Sequence, residues 1–254
     1  MKQLIGLCFV VLIIIACGGN GNYTYELIRE ETHSWSSVGI TSVEATTVNG
    51  DIEVSSRQDT TITLDVRKRC FGEDSLDAEE HIALIEIATQ INSGVLEVDA
   101  DMPSDEDRSY QASFDFRMPD DIYVDLVTLN GDVAVKDMIG GAKIQSTNGS
   151  LRFQNFAGNA DADTENGSID CEMNVVVATD IITLSSENGN AIVNMPSDAA
   201  VTFDLRTTNG SITISDFTNV VYTINEAHHK TGTINGGGAT LDVTLTNGDV
   251  LVDG

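Results

Sequence analysis

Basic residues are scarce in this chain: 13 Lys and Arg stand against 40 Asp and Glu, a formal net charge of −27 at pH 7. A surface this acidic repels nucleic acid and anionic lipid headgroups, so neither is an expected partner. Four cysteines are too few for a disulfide scaffold. The four histidines, His33, His81, His228 and His229, form no His-Glu-x-x-His helix. Gly-x-Ser-x-Gly, Cys-x-x-Cys and a phosphate-binding glycine loop are also missing. With three prolines and a single tryptophan, neither a proline-rich stalk nor a broad aromatic sugar platform is built in.

One apolar run is present. Met1-Lys2 precedes Leu4 to Ile15, the charge-then-hydrophobe order of an export signal, and the run is too short for a spanning helix. It ends in Ile14-Ile15-Ala16-Cys17, which resembles the lipobox of bacterial lipoproteins. That resemblance implies cleavage before Cys17 and acylation of its sulfur, so the expected membrane partner is reached through a lipid anchor. Lys2 leaves with the signal, making the mature chain one unit more negative, and Gly18 to Asn22 reads as a short tether. Cys70 and Cys171 then remain, with room for one disulfide.

The remaining chain, at 41% apolar content overall, carries a repeat. Asn49-Gly50, Asn130-Gly131, Asn148-Gly149, Asn166-Gly167, Asn188-Gly189, Asn209-Gly210 and Asn247-Gly248 each follow and precede alternating apolar residues. From Asn130 the spacings are 18, 18, 22, 21 and 38, the last holding a degenerate Asn235-Gly236. Glycines at 131, 140, 149, 158 and 167 recur every nine residues, so one rung is two glycine-closed halves. Around Asn209 the inward set is Phe203, Leu205, Thr207, Ile212 and Ile214; around Asn247 it is Leu241, Val243, Leu245, Val250 and Val252. Two strands folded about a corner with a shared inner face satisfy this parity. Cys171 falls in the inward register of Phe153 and Val193.

Asn-Gly between alternating strands also suits an antiparallel meander. The short fixed period, the identity of Asn and the second glycine favour parallel stacking, in which equivalent residues lie about 4.8 Å apart. Stacked Asn amides can then form a hydrogen-bonded ladder, expected inside the corner, with glycine supplying left-handed backbone. The residues after each Gly are Asp51, Asp132, Ser150, Ser168, Asn190, Ser211 and Asp249, placing the aspartates toward the ends of the array in chain order. The rung at Asn247-Gly248 is the last in the sequence, and its strand edge is expected to be bare. Asp74 to Ala83 predicts a short helix capped by Asp74 or Ser75, and Ile85 to Ala100 a hairpin turning at Asn92-Ser93-Gly94.

The organisation expected is therefore a signal over 1–16, a tether over 17–22, an N-terminal cap of strands with helix and hairpin over 23–120, and the repeat array over 121–254. The fold class is all-β: a single-stranded-type parallel β-solenoid or β-helix of about 18–22-residue rungs. The repeat [Thr/Ser]-x-Asn-Gly-[Asp/Ser]-[Ile/Val/Leu]-x-[Val/Ile], after a short acidic helix and the strand start Met118-Pro119, resembles a family of bacterial domains labelled "putative adhesin" and is similar to the head GIN domain, over Thr41 to Gly254. The resemblance implies a cell-envelope or surface protein and brings no catalytic residues, cofactor or metal with it. The expected partners beyond the membrane are a protein or a glycan.

Four other groups carry side chains suited to chemistry or binding. Asp161, Asp163 and Asp170 resemble the carboxylates of β-helix lyases and hydrolases, but no basic residue is expected beside them to hold an acidic sugar, and they read as a solvated face. Asp99, Asp101, Asp105, Glu106 and Asp107 lack the glycine of a calcium loop. His228-His229 reads as a surface loop, and Tyr23, Tyr25 and Trp35 as cap packing. The first functional expectation is a non-catalytic, lipid-anchored binding or adhesion scaffold, the second a carbohydrate-active enzyme.

Overall fold

The computed structural model describes residues 11–16, by backbone alone, 24–104 and 108–254. Cys17, the tether, Tyr23 and Asp105 to Asp107 lie outside the described residues.

Alternating apolar residues build two eleven-stranded sheets that share one core. In chain order the first elements are β1 (Val11–Ala16), β2 (Tyr25–Ser36), β3 (Ser42–Asn49), β4 (Ile52–Ser56), β5 (Thr61–Gly72), α1 (Ser75–Ile82), β6 (Glu86–Asn92), β7 (Val95–Asp101) and β8 (Tyr110–Met118). The array continues through β9 (Tyr123–Asn130), β10 (Val133–Lys136), β11 (Ala142–Asn148), β12 (Leu151–Ala157), β13 (Ala160–Asn166), β14 (Ile169–Val175), β15 (Ile181–Asn188) and β16 (Ala191–Asn194). It ends in β17 (Val201–Asn209), β18 (Ile212–Ser215), β19 (Val220–Asn225), β20 (His229–Ile234), β21 (Ala239–Asn247) and β22 (Val250–Asp253).

Each Asn-Gly is a corner at which the chain leaves one sheet and enters the other. The strand before it pairs in parallel with the strands before neighbouring corners, and the strand after it does the same in the second sheet. A shared register brings Val135, Phe153, Cys171 and Val193 into neighbouring inward positions, all fully buried. At roughly 1.5–3 kcal/mol for each fully buried large aliphatic or aromatic side chain, this inner face is the main favourable term.

The order of strand pairs in space is not their order in the chain. Sheet order runs β15–β21–β17 on one side and β16–β22–β18 on the other, so the C-terminal pair lies between the two pairs that precede it in the chain. The bare distal edge expected at the final Asn-Gly is therefore absent, since that corner is flanked on both sides. The distal end of one sheet is closed by the antiparallel hairpin β19–β20, whose β20 pairs with β17. Asn235-Gly236, expected as a degenerate corner, is the tight turn leading from that hairpin into β21.

At the other end β7 pairs with β3 and β8 with β4, so the sheets run through the expected boundary at 120/121. The antiparallel strands β5, β2 and β1 extend one sheet beyond β8. Helix α1 starts at Asp74, whose carboxylate accepts from the backbone N–H of Leu76 and Asp77, and its buried Ala78 and Ile82 face the sheet. Gly72 makes the approach possible, because a Cβ there would meet Ala78 N at 2.5 Å. The β6–β7 hairpin turns at Ser93 and Gly94 with φ of 50° and 89°.

The corner glycines correct an expectation. Only Gly50 and Gly248 have positive φ; Gly131, Gly149, Gly167, Gly189 and Gly210 do not. Space is the requirement: a Cβ on Gly149 or Gly167 would lie 1.8 Å from the carbonyl oxygen of the neighbouring corner glycine, and on Gly189 or Gly248 1.9 Å. Gly167→Val therefore costs about 3 kcal/mol or more, since the obstructing atoms are backbone and cannot turn aside. Thr164→Val, which removes a buried hydroxyl and strips the part-buried Gly149 carbonyl of its donor, costs about 1–2 kcal/mol, and Asn166→Ala, whose amide faces water, about 0.5–1 kcal/mol. Denaturant unfolding of the three variants checks this ranking; a Gly167→Val protein as stable as the parent would overturn the steric account.

Candidate functional site

Three columns of polar groups run along the corner. In the outermost, the seven Asn side chains form an unbroken ladder in the order 49, 130, 148, 166, 188, 247, 209, each Nδ2 donating to the preceding Oδ1 at 2.8–3.0 Å. Its amides face solvent rather than lying inside the corner, which corrects the expected placement. The buried column is made by the hydroxyl residue two places before each Asn. Thr47 donates to Ala112 O, Thr128 to Gly50 O, Ser146 to Gly131 O, Thr164 to Gly149 O, Ser186 to Gly167 O and Thr207 to Gly248 O, at 2.8–3.1 Å. Only the last corner departs, with Leu245 at this place. In sequence the place reads only as one of the inward set, as at Thr207, and the Ser or Thr recurring there was the available signal.

The third column follows each glycine. Asp51 accepts from the backbone N–H of Asp132, Asp132 from Ser150, Asn190 from Asp249 and Asp249 from Ser211, at 2.7–2.9 Å. In spatial order the column reads Asp51, Asp132, Ser150, Ser168, Asn190, Asp249 and Ser211, so its middle is uncharged and the aspartates lie toward its ends, with Asp249 one place inside. Each carboxylate is tied to a backbone donor. The Ser211 N–H, then its hydroxyl, hold the Asp249 carboxyl below its ordinary pKa.

The outer wall of the β15-containing sheet carries the charge. Register places Glu97, Glu44, Asp125, Lys143, Asp161, Thr183, Asp242 and Asp204 side by side across eight strands. Partial burial, opposed by Lys143 and reinforced by Asp163 and Asp125, pushes Asp161 above its ordinary pKa. Burial and then Asp204 do the same to Asp242, against Arg206. Asp204 is held low by its hydrogen bond from Arg206 and, against some burial, by His229 at 3.1 Å. His229 thus begins β20 rather than lying in a loop, while His228 is exposed.

Asp170 projects from β14 in the opposite sheet, so Asp161 and Asp163 do not converge with it. Basic residues do accompany these carboxylates, contrary to expectation: Lys143 is the register partner of Asp161, and Arg152 Nε lies 3.4 Å from Asp170. They stand on opposite sheets, however, so Asp170 is separated from Asp161 and Asp163, which share the outer face of β13.

At the N-terminal end a concavity of about 520 Å³ on the other wall is lined by Glu30, Asp51, Glu53, Asp65, Arg67 and Asp115 among others. Nearby, Lys68 Nζ lies 3.0 Å and His33 Nε2 3.3 Å from Glu31 Oε1, and the His33 and Trp35 rings are parallel with centroids 5.8 Å apart. Burial works against the Glu31 charge, but hydrogen bonds with His33 and Lys68 prevail and hold its pKa down. Trp35 and Tyr25 pack against the core. Asp99 and Asp101 are exposed on β7. Among the described residues, no group of three or more His, Cys, Asp or Glu is placed to hold a metal ion, and no helix is long and apolar enough to cross a membrane.

Cys70 and Cys171 are both free and buried. Burial pushes the Cys70 thiol up to about 11 and the Cys171 thiol up to about 12.

Residues 138–253 match the family model described as Toastrack DUF4097. Among solved structures, a "putative cell adhesion protein" from Clostridium sporogenes is similar over 89% of this chain and 99% of its own, with 10% identity and a TM-score of 0.54, a likeness of fold. A "putative adhesin" from Bacteroides fragilis aligns over 88% of this chain and 96% of its own, with 11% identity and a TM-score of 0.43. No curated protein matches the chain.

Two outcomes follow from the site. Thiol reagents should modify Cys70 and Cys171 only as fast as the protein unfolds; labelling followed by mass spectrometry at rising denaturant checks this, and rapid native labelling of Cys171 contradicts the inward register. Asp242 ionises at a cost in the folded state, because its folded pKa is raised, whereas Asp204, whose folded pKa is lowered, ionises with a gain. Asp242→Asn should then raise the melting temperature at neutral pH and Asp204→Asn lower it. Both differences should fade as the pH falls below the carboxylate range, where the parent side chains are protonated too.

Proposed function

We propose that the chain is a non-catalytic, lipid-anchored cell-envelope or surface protein that presents an acidic β-solenoid, of about 18–22-residue rungs, as a binding or adhesion scaffold. The observation that carries this reading is the predominantly acidic column from Glu97 to Asp204, six carboxylates interrupted by Lys143 and Thr183, mounted on a sheet whose Asn-Gly corners are locked together by the Asn ladder. Such a wall is stiff, extended and predominantly of one sign, features suited to contact with a cationic or hydroxyl-rich partner rather than to bond cleavage. The fold shared with a protein described as a "putative cell adhesion protein" supports it.

Anchoring enters through Cys17 at the end of Ile14-Ile15-Ala16. Cleavage there would also remove β1 and leave the edge of β2 unpaired over Tyr25 to Glu30. The test is Cys17→Ser expressed in a bacterial host. Membrane association and incorporation of labelled palmitate should both be lost; palmitate still entering the variant refutes the anchor. Pull-down from the native envelope tests the scaffold. A partner recovered equally well by an Asp125→Asn/Asp161→Asn/Asp242→Asn variant shows that the acidic wall is not the recognition surface.

A further inference from the structure

The C-terminal pair β21–β22 occupies a place that the rest of the chain leaves open for it. β17 and β18 form no strand pairing with β15 or β16; β21 and β22 stand between them in both sheets. The segment is parallel and in register on each side, with Asn247 between Asn188 and Asn209. Its inward residues Ala239, Leu241, Val243, Leu245, Val250 and Val252 are at most 2% exposed. The segment thus fills a slot one strand wide in each sheet, walled by four strands of the same chain.

Three features make this segment separable. A single connection joins it to the strands before it. That connection is a tight turn in which Asn235, Gly236 and Gly237 successively have φ of 51°, 88° and 85°. The turn is further constrained by Asn235, whose Nδ2 donates to Ser197 O and Ala199 O at 3.0 and 2.9 Å. A short connection of this kind invites exchange of the segment it carries between identical chains, and opening it gives up only the local hydrogen bonds of the turn. The slot recognises the segment by backbone pairing, the Asn ladder and apolar inward positions, and every copy of the chain offers the same slot.

We propose that β21–β22 is exchangeable: the C-terminal pair of one copy fills the slot between β15–β16 and β17–β18 of a second copy, giving a domain-swapped dimer. The contacts within the slot are identical in the two forms. What differs is the turn at Asn235 to Gly238, released in the dimer, and the freedom lost on association, so the dimer is favoured at high local concentration. The proposal does not depend on the lipid anchor.

Ser185 and Thr244 are register partners on β15 and β21 and share the outer face. In a Cys8→Ser/Cys17→Ser background of the full chain, one preparation carries S185C and another T244C. The two are mixed at high concentration, passed briefly through mild denaturant, returned to native buffer and oxidised. A covalent dimer linked between the two substituted positions is expected, in several-fold excess over a control mixture of Q145C with T244C, since Gln145 lies two strands away from Ser185 in the same column. Adding Gly237→Ala, which forces a Cβ to within 2.9 Å of Thr202 Oγ1 in the closed turn, should raise the yield further. Equal cross-linking in the Q145C control, or no cross-linked dimer when the S185C/T244C double variant oxidises fully within one chain, overturns the exchange. A Gly237→Ala yield no higher than its parent's overturns the role assigned to the turn.

Discussion

Successive corners approach so closely that the carbonyl of one corner glycine occupies the space where the next would carry a Cβ, at 1.8–2.1 Å from Gly50 to Gly131, Gly149, Gly167 and Gly189. From that contact the rest is set. It brings the Asn amides within hydrogen-bond reach, brings the hydroxyls of Thr128, Ser146, Thr164, Ser186 and Thr207 to the carbonyl of the neighbouring glycine, and aligns the inward side chains so that both sheets share one core. Backbone hydrogen bonds from the N–H of six corner glycines to the adjacent Asn carbonyl, such as Gly149 to Asn166 at 3.1 Å, close the same unit. A side chain of any size there would push the two strands apart and lose all of these together.

Stacking equivalent residues has a cost wherever the equivalent residue is charged. The column from Glu97 to Asp204 holds six carboxylates and one lysine, and like charges facing each other across paired strands repel. The chain limits the cost by setting Lys143 between Asp125 and Asp161, by placing Thr183 between Asp161 and Asp242, and by pairing Asp204 with Arg206. Burial first, and then the repulsion that remains, raises the pKa of Asp161 and Asp242 on the face proposed to meet a partner.

A stack of interchangeable units must also be told where to stop. Here β20 pairs antiparallel with β17, the Phe203 and Tyr222 rings meet edge to face at 5.9 Å, and His229 reaches Asp204, so the last corner strand cannot accept another parallel neighbour. With that end closed, the C-terminal pair has one place left, beside β15 and β16. The opposite end is closed by antiparallel β5 and β2 with α1 pinned on them, Arg108 donating to both Asp77 and the Phe71 carbonyl.

Local features were legible in the residues alone because each depends on a few neighbours: the inward parity that buries Cys171 beside Phe153 and Val193, the helix α1 with a cap at Asp74 or Ser75, which the structure resolves as Asp74, the Asn92-Ser93-Gly94 turn, and the Asn-Gly corners. The reason each corner needs glycine was not legible, since a residue forbidden by another strand's carbonyl looks the same in sequence as one needed for left-handed backbone. The hydroxyl column was visible as a recurring Ser or Thr, but its acceptor belongs to a neighbouring corner up to 78 residues away. Spatial order was beyond the sequence for a deeper reason. Corners at Asn188, Asn209 and Asn247 present nearly the same hydrogen-bonding and apolar pattern, so local chemistry accepts any of them as neighbours. Only the tertiary structure, through the antiparallel cap on β17, decided that the last pair in the chain lies between the two that precede it.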